Sequence, residues 1–189
     1  MIQLIEEIPF FTPVYRLDNA GISLITLEQY VSKLEVSGEL LTREDSGLKT
    51  RTYKQADTLL SELFELVSKC VGEISKTFGI NKELTLTNYW VNVDKNNSFG
   101  TSHYHPEGVI SGVFYIRVPD GSGCIEFERP DLQEHYFEAD TINKYNYRYY
   151  KYVPNENLLL LFPSYLKHRI TKSVLSNNEK RISISFNYS

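Results

Sequence analysis

Cysteine is scarce in this 189-residue chain, with Cys70 and Cys124 alone. Two are too few for a disulfide framework and are not spaced for a zinc knuckle, so a reducing, cytoplasmic compartment is the default expectation. Long hydrophobic runs are also missing. The most apolar stretch, residues 158–163, falls far short of a membrane span and reads as a buried strand. The leading MIQLIEEIPFF carries Glu6 and Glu7 among its apolar residues and has no basic lead-in, so it does not read as a signal peptide. Basic charge is not in excess. Lys and Arg number 20 against 24 Asp and Glu, for a net charge of −4. That balance argues against non-specific binding to nucleic acid or an anionic membrane.

The length fits one domain, residues 1–189, with a sizeable core. No internal repeat or low-complexity linker divides it, but the period of the apolar residues changes near residue 82. Before that point Leu59, Leu60, Leu63, Phe64, Val67, Cys70, Val71 and Ile74 recur in steps of three and four. This spacing predicts an amphipathic helix ending near Phe78, with Gly79 as its C-terminal cap. A shorter helix is expected over residues 27–34, and residues 38–51 read as a loop. From Glu83 onward, runs at 84–93, 109–118, 124–128, 145–153, 157–162, 167–172 and 181–188 have the texture of strands, separated by turn clusters. The expected class is mainly β with flanking helices (α+β). An N-terminal strand and covering helices (1–82) would pack on one sheet of a jelly-roll core (83–189).

Three of the four histidines fall in two segments. The first runs Ser102-His103-Tyr104-His105-Pro106-Glu107; on an extended backbone His103 and His105 share a face. In the second, Phe162-Pro163-Ser164-Tyr165-Leu166-Lys167-His168, a buried strand ends, turns and delivers a histidine. Side by side in a jelly roll, these segments would put three ligands on one side of a metal and leave the other side open, which suits non-haem iron(II). Glu107 leaves two triads open: His105, Glu107 and His168, or His103, His105 and His168. His135, between Glu134 and Tyr136, reads as an exposed strand residue.

The last strand alternates strictly: Arg181, Ser183, Ser185 and Asn187 against Ile182, Ile184, Phe186 and Tyr188. Its polar face either meets water or lines a pocket. In a pocket, Arg181 would offer a planar fork to a carboxylate, and Ser183 a hydroxyl beside it.

Taken together and in order, these segments resemble a known family, the 2-oxoglutarate- and iron(II)-dependent oxygenases of bacteria and phages. The resemblance runs from about Tyr89 to Tyr188. It rests on Trp90-Val91-Asn92-Val93, His103-Tyr104-His105-Pro106, Ser111-Gly112-Val113-Phe114-Tyr115, the Phe162 to His168 segment, and Arg181-Ile182-Ser183-Ile184-Ser185-Phe186-Asn187. It implies a double-stranded β-helix that takes Fe(II), 2-oxoglutarate and O2, and that hydroxylates a C–H bond with release of succinate and CO2. By the same resemblance His103, His105 and His168 would hold the metal, with Glu107 as alternative ligand, and Arg181 and Ser183 would anchor the cosubstrate. Trp90, Asn92, Ser111, Tyr115 and Asn187 also match the pattern and would line the pocket, unless packing alone accounts for them. Two other readings use the same barrel: a cupin-type metalloprotein indifferent to 2-oxoglutarate, and a non-enzymatic jelly-roll binding module. The substrate, small molecule or protein side chain, is not legible. Residues 131–152, rich in tyrosine, are a candidate for its contacts, and a homodimer stays open.

Overall fold

The computed structural model describes residues 12–42, 47–131, 141–143 and 146–189. His135, most of the tyrosine-rich segment and the N-terminal apolar stretch lie outside or largely outside these residues. A short strand, β1 (Tyr15–Leu17), opens the described chain and is followed by α1 (Leu24–Val36). α1 is longer than its apolar stripe predicts, because Ser23 caps its first turn. Leu27, Tyr30, Val31 and Leu34, spaced by helical periodicity, form its buried face. A single 3-10 turn (Thr58–Leu60) leads into α2 (Ser61–Thr77), which buries Leu63, Phe64, Val67, Val71 and Ile74. Gly79 then takes φ +68°, where a side chain would be strained, and Ile80 N–H reaches back to the Ser75 carbonyl to close the helix.

The predicted loop at 38–51 is in part a hairpin. β2 (Leu41–Thr42) pairs with β3 (Leu48–Lys49), which joins β4 (Leu86–Asp94) at the register Lys49 to Asn92. Strands this short carry too little periodicity to be read from sequence. Seven further strands follow: β5 (Gly100–His103), β6 (Ile110–Arg117), β7 (Ile125–Glu128), β8 (Tyr149–Tyr152), β9 (Leu159–Pro163), β10 (His168–Ile170) and β11 (Arg181–Tyr188). They build two antiparallel sheets, of order β1-β9-β6-β11-β4-β3-β2 and β5-β10-β7-β8. This is the expected double-stranded β-helix.

Alternation along the large sheet separates two apolar layers. Phe114, Ile116, Leu159, Leu161, Ile182, Ile184, Phe186 and Tyr188 meet the stripes of α1 and α2 in one cluster. Truncating a fully buried member such as Leu63 costs about 2–5 kcal/mol. Val113, Tyr115, Leu160 and Phe162 point the other way, toward Ile125 and Phe127 of the small sheet. Helices thus cover the apolar face of β11, and its polar face turns inward. Gly112 is small for a steric reason: a Cβ there would lie 2.5 Å from the Phe186 ring and 2.7 Å from Leu161.

Candidate active site

The two histidine segments meet through backbone pairing. β5 and β10 are antiparallel with His103 directly opposite His168, and Phe127 of β7 flanks His168 on its other side. β5 ends at His103, so His105 does not arrive by alternation along one strand. It sits beyond the strand end, where its N–H donates to the Ser164 carbonyl at 2.9 Å. Behind it, Gly108 leaves room for Ser164, whose Oγ would be 2.5 Å from an added Cβ.

The ligand atoms of His103, His105 and His168 lie within 4.8 Å of one another, a group able to hold a metal ion. Nδ1–H of His103 donates to the Thr101 carbonyl at 2.8 Å, and Nδ1–H of His168 to the Leu166 carbonyl at 2.9 Å. Both bonds place the proton on Nδ1 and leave the Nε2 lone pair available. His105 Nε2 faces His168 Nε2 at 3.4 Å. Two imidazoles on one metal at ordinary bond lengths hold their nitrogens about 3.0–3.4 Å apart, so the donor set fits a metal. Burial, then the neighbouring His103 and Lys49, holds His105 at about 4. Burial holds His168 at about 3 despite its bond to Leu166, and the other two imidazoles add to the effect. Both rings are therefore neutral near pH 7, the form that binds metal. Glu107 is exposed and stands outside this group.

The three histidines open onto a cavity of about 550 Å³ whose lining also holds Arg181, Ser183, Asn92, Trp90 and Asn187. Trp90 packs beside His105, with ring centroids 5.5 Å apart. Ser111 lies behind the wall, bonding Ser164 Oγ at 2.8 Å and Asn187 Oδ1 at 2.7 Å. Tyr115, fully buried, lies beneath the Arg181 guanidinium at 5.0 Å. Burial opposes the charge of Arg181, but Tyr115 and Asp94 outweigh it and raise its pKa above the ordinary value. Arg181 Nε and the Tyr115 hydroxyl are buried without a hydrogen-bond partner. Two orphaned donors are costly unless an acceptor fills them, and a carboxylate at this end of the cavity would do so. The residues present fit a dicarboxylate as well as a metal.

Asp94 is the residue that sequence reasoning missed. It reads as the start of a turn cluster, yet it ends β4 and receives Arg181 Nη1 in an ion pair buried on both sides.

A family model described as "Putative 2OG-Fe(II) oxygenase" matches residues 88–187, more than half of the chain. The chain belongs to the 2OG-Fe(II) oxygenase family. This oxygenase accordingly works with Fe(II) and 2-oxoglutarate as its cofactors. Solved structures share its fold at low identity. A prolyl-4-hydroxylase of Pseudomonas putida is 12% identical with a TM-score of 0.65, covering 94% of each chain. The viral collagen prolyl hydroxylase of Paramecium bursaria Chlorella virus-1, solved with 2OG, is 13% identical at 0.61, covering 93% of this chain and 96% of its own. HygX of Streptomyces hygroscopicus, with nickel and 2-oxoglutarate bound, is 13% identical at 0.63, covering 94% and 83%. No curated protein matches the oxygenase in sequence. Among its described residues no helix is long and apolar enough to cross a membrane.

Proposed function

We propose that the protein hydroxylates a C–H bond of a substrate still to be identified, with His103, His105 and His168 holding the iron and Arg181, Ser183 and Tyr115 holding the far carboxylate of 2-oxoglutarate. The observation that carries this reading is one cavity lined by three clustered imidazoles and a buried arginine. Bound together, metal and cosubstrate supply the activation of O2: 2-oxoglutarate is oxidised to succinate and CO2, and one oxygen atom enters the substrate C–H bond.

The chain contributes geometry and shielding. The carbonyls of Thr101 and Leu166 fix two imidazole orientations, and the Ser164 carbonyl fixes the backbone of the third. Arg181 presents Nε, with the Tyr115 hydroxyl as a second donor, to a carboxylate kept from water by burial. Val113, Ile125, Phe162 and Ile170 give the cavity apolar walls that limit water near the reacting centre. Glu107, outside the cluster, is left without a ligand role. The protein acts in the cytoplasm, in keeping with its sparse cysteines.

The deciding experiment is visible absorbance of the iron(II)-loaded protein under anaerobic conditions as 2-oxoglutarate is added. A saturable charge-transfer band that an Arg181→Ala variant fails to develop at the same concentration is the expected result. No band, with stoichiometric iron bound, would overturn the assignment.

A further inference from the structure

Two charged side chains share the cosubstrate end of the cavity. Arg181 and Asp94 stand directly opposite each other in the β11–β4 register. Arg181 Nη1 donates to Asp94 Oδ2, and the two side chains are 2% and 4% exposed. Both also line the cavity. An arginine whose task was to attract a dianion with its full charge would not need a carboxylate built in beside it.

We propose that Asp94 is a built-in counter-ion that weakens the hold of Arg181 on 2-oxoglutarate, so that affinity for the cosubstrate is set by two carboxylates competing for one guanidinium. The inference rests on reading Arg181 as the anchor. Asp94 touches the arginine and not the reacting atoms, so it is a positioning residue.

Two effects of Asp94 oppose each other. It orders the guanidinium before the cosubstrate arrives, which favours binding; ordering one long side chain is worth up to about tenfold in affinity. It also places a formal negative charge where a second must enter. Between carboxylates sharing a guanidinium, at the effective dielectric of a buried protein site, that repulsion amounts to about a hundredfold. The ordering is also partly redundant, because burial and the Tyr115 ring at 5.0 Å already confine the arginine. Repulsion wins, and its removal gains about tenfold in affinity. A site detuned in this way stays short of saturation over a wider range of 2-oxoglutarate, and its turnover follows the supply of that dicarboxylate.

Asp94→Asn tests this, since it keeps the shape and an acceptor oxygen for Nη1 while removing the charge. Iron(II)-loaded parent and variant are titrated anaerobically with 2-oxoglutarate, and the midpoint of the charge-transfer band is read beside the iron stoichiometry. The midpoint is expected to fall about tenfold with iron unchanged, a gain that no purely structural role produces. An equal or higher midpoint for Asp94→Asn, with Arg181→Ala clearly weakened, would overturn the counter-ion and leave the anchor standing. An Arg181→Ala protein that binds as the parent does would sink the anchor itself. Should Asp94→Asn fail to fold, the parent supplies the test with 2-oxopentanoate, the same five-carbon chain without the distal carboxylate. Discrimination below about a hundredfold is expected; a larger factor, as polar sites with unopposed partners reach, would refute the proposal.

Discussion

His105 Nε2 and His168 Nε2 face one another at 3.4 Å across 63 residues of sequence. Each ring is neutral near pH 7 because it is buried, and both nitrogens belong to the group that the His103 ligand atom completes. Such a pair is poised for a cation between the two rings.

Replacing His105 or His168 by Ala is expected to lower affinity for Fe(II) or Co(II) by more than about a hundredfold, beyond the effect of losing an outer-shell partner. Glu107→Gln is expected to bind as the parent does. Anaerobic calorimetry with each metal decides. Loss of metal in the Glu107 variant would replace the three-histidine set with the two-histidine, one-carboxylate alternative.

Trp90 is the one tryptophan of the chain and packs beside His105. Its fluorescence is expected to change saturably as metal is added, with the same midpoint as calorimetry. A flat emission signal from metal-loaded protein would contradict the placement of Trp90 at the metal.

Gly112→Ala is expected to destabilise the fold by about 1–3 kcal/mol, as overpacking does. The added Cβ would press on Phe186 from 2.5 Å. Urea unfolding measures the loss, and an unchanged midpoint would show that the β6–β11 contact yields freely.

Asp57 accepts from Leu59 N–H at 3.0 Å at the start of the 3-10 turn and pairs with Lys33 of α1 at 2.8 Å. Lys33 first, then the Leu59 N–H, holds its carboxyl below the ordinary value. A depressed folded pKa stabilises above the unfolded value of about 4 and loses that contribution as pH falls through the folded value. Asp57→Ala is expected to cost about 1 kcal/mol at pH 7, and the gap to the parent to close in acid. A gap that persists at pH 2 would assign the effect to packing.

The sequence showed most where one side chain reports its own surroundings. The strict alternation of Arg181 to Tyr188 made β11 a two-faced strand, and the three-four spacing of Leu63 to Ile74 made α2 a helix. Which face of β11 meets water was not legible from the strand alone; it depends on helices more than a hundred residues earlier that cover Ile182 to Tyr188. Asp94 was missed for a similar reason. Locally it is a turn residue, and only the β4–β11 register, 87 residues apart, makes it the partner of Arg181. One continuous extended strand would put His105 on the same face as His103. The chain instead leaves the sheet at His103, and the Ser164 carbonyl holds His105 in reach.

The division of the large sheet into two faces has a consequence for how such a protein can diversify. The helix-covered face holds the larger of the two apolar clusters, while the opposite face carries the cavity walls. Exchanges at Asn92, Ser185 or Asn187 therefore alter what the cavity admits while leaving the helix-packed layer intact. The larger share of the apolar core and the polar lining of the cavity thus sit on opposite sides of the same strands, so the cavity's polar residues can change with little demand on the helix-packed layer.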